Sequence, residues 1–153
     1  MSSVELNIQG LDELNKKLKQ LGNSKIAKRI ARKAGRQAMN IARDAARNAA
    51  KAIDDPQTAE KIWKNISTQG GKTRNSSEVK IRVGVRGGAS FSNPNPPQLS
   101  GGDTRHWRWI EFGSSNNPAV PFMRPALENN ITQVTAKFVD VFGTEIDKEI
   151  AKL

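Results

Sequence analysis

The most constraining feature of this sequence is an uninterrupted helical pattern that covers residues 25 to 53. At about 100° per residue, apolar side chains collect on one side of the segment, which predicts a single long amphipathic helix. Most of these side chains are alanines, which contribute little burial energy each but allow a neighbouring element to approach closely. We therefore expect another element to pack tightly along the face formed by Ile26, Ile30, Ala34, Ala38, Ile41, Ala45 and Ala49.

The opposite face of this predicted helix is basic. Six aligned cations of this kind could contact DNA phosphates without sequence preference, or an acidic protein partner. Such a row is also common on a merely solvated surface, and the helix lacks the interleaved aromatic residues that single-stranded nucleic acid stacks on. A nonspecific DNA-binding protein is therefore an alternative reading of the chain, with contacts from Lys25, Arg29, Arg32, Arg36, Arg43 and Arg47.

A second distinctive stretch is WRWIEFGSSNNPAVPFMRPAL, residues 107 to 127. Its aromatic run predicts a strand over 106–112, and Pro125 suits the first turn of a helix. The polar residues in between predict a loop. Arginine pairs carboxylates through a planar fork, so Arg124 is predicted to pair with Glu111, with Glu128 or with another subunit. The apolar side chains are predicted to be mainly core, namely Trp109, Phe112, Phe122 and Leu127.

The remaining patterns complete a fold prediction. Alternating apolar residues predict strands over 4–9 and 78–86, and leucines at helical spacing predict a helix over 11–21. A helical turn is predicted within 58–66, and a carboxyl-terminal helix from Pro125 or Ala126 to about Leu153. The Gly- and Pro-rich segment 87–105 predicts a mobile loop between two paired strands. Together these predict one α+β domain, residues 1–153, with a small antiparallel sheet packed against two long helices.

Composition argues against several functional classes. The chain has no cysteine, no tyrosine and a single histidine, His106, which leaves few ways to assemble a nucleophile, a base or a metal site. We expect no enzyme activity and no cofactor. No segment reaches the roughly 20 apolar residues that span a bilayer, and none resembles a signal peptide, which predicts no membrane partner and synthesis in the cytoplasm. The net charge of +10 lies mostly in the first two thirds of the chain.

The sequence resembles a known family at both ends. Glu111-Phe112-Gly113, followed by Ala119 and then Pro121-Phe122-Met123-Arg124-Pro125-Ala126-Leu127-Glu128, is similar to the signature of tail-component or neck proteins of long-tailed, lambda-like bacteriophages, the gene-product-ten type. Gly10-Leu11-Asp12-Glu13-Leu14 looks like the opening element of that family. A segment between them, from Asp55 to Ile66, is more loosely similar.

This resemblance implies a structural virion protein of the neck or tail end that acts in head–tail joining or tail completion. It implies assembly in the host cytoplasm into a ring, expected to be six-fold, that contacts the head–tail connector, tail-tube or tail-terminator proteins and the packaged DNA. The motif residues are then the expected interface with another subunit or partner: Trp109, Glu111, Phe112, Gly113, Pro121, Phe122, Arg124 and Pro125.

Overall fold

The structure, a computed structural model, describes residues 11–74 and 78–153, without the side chains of Leu11 and Asp12. It mixes long helices with a small antiparallel sheet, which confirms the predicted α+β class. The elements follow in the order α1 (Leu11–Leu21), α2 (Ser24–Ile53), α3 (Ile62–Asn65), β1 (Ile66–Gly71), β2 (Lys80–Val85), α4 (Trp107–Phe112), α5 (Arg124–Glu128) and α6 (Ile131–Ile150). None of the helices in the described ranges is both long and apolar enough to cross a membrane.

The long helix α2 is confirmed. Asn23 caps it, since its Oδ1 accepts hydrogen bonds from the N–H groups of Lys25 and Ile26. The predicted and the observed buried faces diverge after Ala38. In the structure every fourth residue stays buried beyond that point, whereas the prediction had moved the apolar face to Ile41, Ala45 and Ala49. The half-buried Ile41, Ala45 and Ala49 therefore sit beside the buried stripe, which consists of Ile30, Ala34, Gly35, Ala38, Ala42, Ala46 and Ala50.

Two apolar clusters share α2, and this explains the shift in its buried face. The first half of the helix packs on α1 and α6, in a cluster of Leu14, Ile30, Ala34, Val141, Phe142 and Ile146. The second half packs on α3, the sheet and α5 through Ala46, Ala50, Ile62, Ile66, Val85, Phe122 and Ala126. Because each half meets different elements, the buried stripe follows the neighbours rather than one straight line along the helix.

The sheet has two strands in the described part of the chain. β2 confirms the strand predicted over 78–86, and it pairs antiparallel with β1 from Ile66↔Val85 to Gly71↔Lys80. β1 was not predicted as a strand, because its sequence ISTQGG carries little apolar alternation and two glycines. The helical turn predicted just before it is confirmed as α3. The strand predicted over 4–9 lies outside the described residues.

The third predicted strand, over 106–112, is wrong. Residues Trp107–Phe112 form helix α4, which turns Glu111 into the interior and leaves Trp109 and Phe112 on the outside. Burial of one hydrogen-bonded carboxylate thus outweighed the strand preference of the aromatic residues.

The segment 87–105 consequently leads from β2 into a helix, and it does not join two paired strands as predicted. Its end is bound to α3: the buried Asn65 side chain donates to the Gly102 carbonyl and to Thr104 Oγ1, and its Oδ1 accepts from the Gly101 N–H. The mobility of this loop stays a prediction.

The carboxyl-terminal helix is divided into α5 and α6, where one continuous helix was predicted. The break falls at Asn129 and Asn130. Asparagine competes for backbone hydrogen bonds, and the Asn130 side chain donates to the Ala126 carbonyl at 2.8 Å. This break sets α5 apart as a separate short helix beside α4.

Candidate functional site

The organising contact of the 107–127 stretch is a clamp around the carboxylate of Glu111, which is 1% exposed. Its Oε2 accepts hydrogen bonds from the N–H groups of Phe122 at 2.7 Å and Met123 at 2.9 Å. Its Oε1 accepts from the N–H and the Nε of Arg124, both at 3.0 Å. We call these four residues the Glu111 clamp. It fixes the start of α5 to α4.

The clamp lowers the pKa of Glu111 below its ordinary value. Burial alone would raise this pKa, because it disfavours the charged form. The backbone N–H groups of Met123, Phe122 and Arg124, together with the Arg124 guanidinium, favour the carboxylate and outweigh burial. Glu111 is therefore an ionised structural group.

This shift predicts a pH-dependent stability. A lowered pKa in the folded state gives a stabilisation that is fully present above the unfolded pKa, about 4.3, and is lost as the pH falls through the folded pKa. Replacing Glu111→Gln should lower the free energy of unfolding by about 2 kcal/mol at pH 7. Urea unfolding at pH 7, 5 and 3 should show that difference shrinking towards pH 3. A difference that stays constant over this range would contradict the assignment.

Arg124 has two roles in the clamp. Its Nε forms an ion pair with the Glu111 carboxylate, so the predicted ion pair is present and lies within the chain. Its Nη2 donates a further hydrogen bond to the main-chain carbonyl of Glu111 at 2.9 Å. Its guanidinium carbon also lies 4.7 Å from the ring centre of Phe112, within cation–π range. The arginine thereby joins the buried clamp to an aromatic ring on the surface.

Gly113 allows the chain to turn back towards the clamp. Its φ is +79°, and a Cβ at this position would lie 2.8 Å from the Ala119 nitrogen. The loop closes with a bond from the Val120 N–H to the Ile110 carbonyl at 2.8 Å. Pro121, which is exposed, then leads into the clamp, and Pro125 occupies the first turn of α5 as predicted. The number of residues between the two halves of the motif is therefore the number needed to close this one loop.

Outside the clamp lies an exposed apolar region that we call the aromatic surface. Trp109 is 58% exposed and Phe112 55%, and Trp109 stacks on Phe91 with ring centres 5.2 Å apart. The prediction that Trp109, Phe112 and Leu127 belong to the core is wrong, whereas Phe122 is buried as predicted. The aromatic surface comprises the exposed rings Phe91, Trp109 and Phe112. Val120 and Leu127 are further exposed hydrophobic side chains of the 107–127 stretch.

Comparison with known families bears directly on this arrangement. The sequence profile of the family described as "Bacteriophage HK97-gp10, putative tail-component" matches residues 12–113, about two thirds of the chain. The chain belongs to this family. The match ends at Gly113, so it includes α4 and Glu111 but not the other three residues of the clamp, Phe122, Met123 and Arg124. Neither the curated proteins nor the solved structures contain a significant match to this chain.

Membership in the HK97-gp10-like family identifies the chain as a bacteriophage tail component and confirms the resemblance noted from the sequence. It also indicates a structural protein with a place in the virion and contacts to other virion proteins. Among residues 11–74 and 78–153, no group of three or more acids or histidines is arranged to hold a metal ion. Asp54 caps α3, with its carboxylate accepting from the Ile62 and Trp63 N–H groups.

On the predicted basic face of α2, some side chains form bonds within the chain and others face only solvent. Arg29 pairs with Glu149 on α6, Arg43 with the adjacent Asp44, and Arg47 donates two bonds to the Ile66 carbonyl. Four of the six side chains are exposed, namely Lys25, Arg29, Arg32 and Arg36. Because Arg29, Arg43 and Arg47 are engaged in bonds within the chain, the DNA-binding alternative depends on fewer free cations than the sequence suggested, and it stays a prediction.

Sequence reasoning missed two parts of this region. Phe91 lies in the Gly- and Pro-rich loop, where no periodicity marks it as the partner of Trp109. The second is Asn65, which is buried and binds three groups of the same loop. A lone asparagine before a polar strand carries no sequence signal of burial, so only the packed structure reveals it.

Proposed function

We propose that this tail component acts at the neck or tail end of the virion, in head–tail joining or tail completion, and assembles there as a ring of subunits. The observation that carries the proposal is the aromatic surface of a chain that belongs to a phage tail-component family. Exposed apolar side chains that cluster on a soluble protein often mark interaction sites.

The composition of the aromatic surface fits an interface between proteins. Tryptophan, phenylalanine and arginine are enriched at interfaces and often contribute most of the binding energy. Trp109, Phe112 and Arg124 are held on α4 and α5, which the Glu111 clamp joins. Because these side chains are fixed before binding, association costs less conformational entropy than it would for a free loop.

A ring requires that one surface meets a different surface on the next copy. We propose that the aromatic surface supplies one side of that contact, and that the exposed cations Lys25, Arg32 and Arg36 face the packaged DNA or an acidic neighbour. The connector and the tail-tube or tail-terminator proteins are the expected neighbours of a six-fold ring.

The interface role is tested by removing two rings of the surface. The double variant Trp109→Ser and Phe112→Ser should raise the dissociation constant of self-association at least 100-fold, since an anchor side chain that becomes buried in an interface contributes about 2 kcal/mol. Sedimentation velocity over a concentration series measures this. Leu153→Ser is the matched control, because Leu153 is exposed but lies outside the aromatic surface. Equal association of the double variant and the parent would overturn the interface role.

The place in the virion is tested in the phage. A stop codon in the gene is complemented with the parent chain or the double variant, and the lysates are imaged by electron microscopy. Separated filled heads and finished tails are the result expected for a joining role, whereas abnormal tail lengths would indicate tail termination. Normal infectious particles without the protein would contradict the virion assignment.

A further inference from the structure

Arg105 is the only buried cation among the side chains that the structure describes, at 8% exposure. Its Nε and Nη2 donate to the two carboxylate oxygens of Asp103, at 2.9 and 2.8 Å, so the guanidinium and the carboxylate meet as a planar fork. A buried charge needs such a partner to be tolerated. This pairing leaves the second terminal nitrogen, Nη1, for other acceptors.

Nη1 of Arg105 binds the Gly- and Pro-rich loop. It donates to the Ser90 carbonyl at 3.0 Å and to the Asn93 carbonyl at 2.7 Å. Both carbonyls belong to the segment 88–93, which forms no helix or strand and therefore has no ladder of backbone hydrogen bonds. Arg105 thus ties this segment to the part of the chain just before α4, 15 and 12 residues further along the sequence.

Two further side chains hold the same segment. Trp107 Nε1 donates to the Gly88 carbonyl at 3.1 Å. The guanidinium carbon of Arg105 lies 4.6 Å from the ring centre of Phe91, and the Phe91 ring is stacked on Trp109 with an angle of 13° between the ring planes. Three alternate residues at the start of α4 therefore contact the segment, and Arg105 alone binds two of its carbonyls.

We propose that Arg105 is the positioning residue of the aromatic surface: it sets the conformation of the segment 88–93 and thereby holds Phe91 beside Trp109. This inference rests on the proposed function, because it describes how the interface of the tail component is built. Phe91 is 49% exposed, so its ring remains accessible to a partner. A ring that is fixed before binding loses less conformational freedom on association than a ring on a mobile loop.

Lysine cannot take the place of this arginine. It keeps the charge but has a compact ammonium group, which cannot bind a carboxylate and two carbonyls in this planar arrangement. In Arg105→Lys, chymotrypsin should cleave the chain after Phe91 about tenfold faster than in the parent, because cleavage requires local release of the segment. Mass spectrometry of the fragments measures the rate at this bond.

Arg108→Lys is the matched control for this experiment, since Arg108 is an exposed arginine of α4. It should be cleaved after Phe91 at the rate of the parent. Positioning by Arg105 is incompatible with the mobility that the sequence predicted for this loop. A parent protein cleaved after Phe91 as fast as Arg105→Lys would therefore overturn the proposal.

Self-association shows whether Arg105 acts through Phe91. In the parent background, Phe91→Ser should raise the dissociation constant about tenfold. In the Arg105→Lys background, the same substitution should raise it by less than about twofold, because a ring that is not held in place contributes little to binding. Sedimentation velocity measures all four proteins. Equal effects of Phe91→Ser in both backgrounds would overturn the positioning role.

Two further comparisons separate the possible failures. Far-UV circular dichroism reports whether Arg105→Lys is folded; if it is not, Asp103→Asn replaces it in both experiments, because this change weakens the fork and keeps the arginine. The Trp109→Ser and Phe112→Ser double variant tests the interface itself. If that variant associates like the parent, the proposed function fails. If it associates weakly while Phe91→Ser has equal effects in both backgrounds, only the role of Arg105 fails.

Discussion

Replacing Glu111→Ala should lower the free energy of unfolding by about 3–5 kcal/mol. The substitution leaves the N–H groups of Phe122, Met123 and Arg124 without their acceptor, and an unsatisfied buried donor costs about 1–3 kcal/mol. Domains of this kind are stable by only about 5–15 kcal/mol, so the change removes a large share of the total. Urea unfolding followed by circular dichroism measures it directly.

The control for this variant is Glu128→Ala. Glu128 is exposed on α5, close in sequence to the clamp, and loss of an exposed carboxylate changes stability by no more than about 0.5 kcal/mol. If Glu111→Ala were as stable as Glu128→Ala, the clamp would contribute nothing to the fold. Because the clamp holds α5 beside α4, we also expect Glu111→Ala to weaken self-association at temperatures where the variant remains folded.

The second large effect is expected at Gly101, at the end of the long loop. A Cβ on this residue would lie 2.2 Å from the Lys61 carbonyl oxygen and 2.6 Å from Asn65 Oδ1. Gly101→Ala therefore has to separate the loop from α3. This separation would break two hydrogen bonds, one from the Lys61 N–H to the Gly101 carbonyl and one from the Gly101 N–H to Asn65 Oδ1. We expect a loss of about 3 kcal/mol and a melting temperature lower by about 6–12 °C.

Gly84→Ala is the matched control for this glycine. A Cβ at Gly84 would meet only Gln69 Nε2, at 3.9 Å, which is an ordinary contact. Calorimetry should place the melting temperature of Gly84→Ala close to that of the parent. A melting temperature of Gly101→Ala equal to that of the control would show that the loop accommodates the added methyl group by moving away from Asn65 at no cost.

Much of the fold could be predicted from the sequence because it rests on local periodicity. A repeating apolar pattern runs along helices α1 and α2 and strand β2. All three elements were predicted from that pattern, and the structure confirms them. The family was found from short motifs. The chemistry of Arg124 predicted an ion pair with Glu111, with Glu128 or with another subunit, and the structure selects Glu111. These features need only the residues themselves and their spacing.

The errors fall where a distant contact decides the local structure. Residues 107–112 have aromatic side chains typical of a strand. They form a helix because the helix places the Glu111 carboxylate within hydrogen-bond distance of the N–H groups of residues 122–124. β1 has almost no pattern of its own and depends on β2 for its pairing. Trp109 and Phe112 remain exposed for the same reason, since the carboxylate takes the inward position.

The sequence by itself determined the α+β class, the long alanine-rich helix, the charge distribution and membership in a phage tail-component family. The tertiary structure alone decided that a buried carboxylate organises the motif and that its aromatic rings form an outer surface. A local sequence pattern shows only which side chains favour water and which favour apolar surroundings. The hydrogen bonds of one buried charge depend on groups eleven to thirteen residues away, and only the folded chain brings them together.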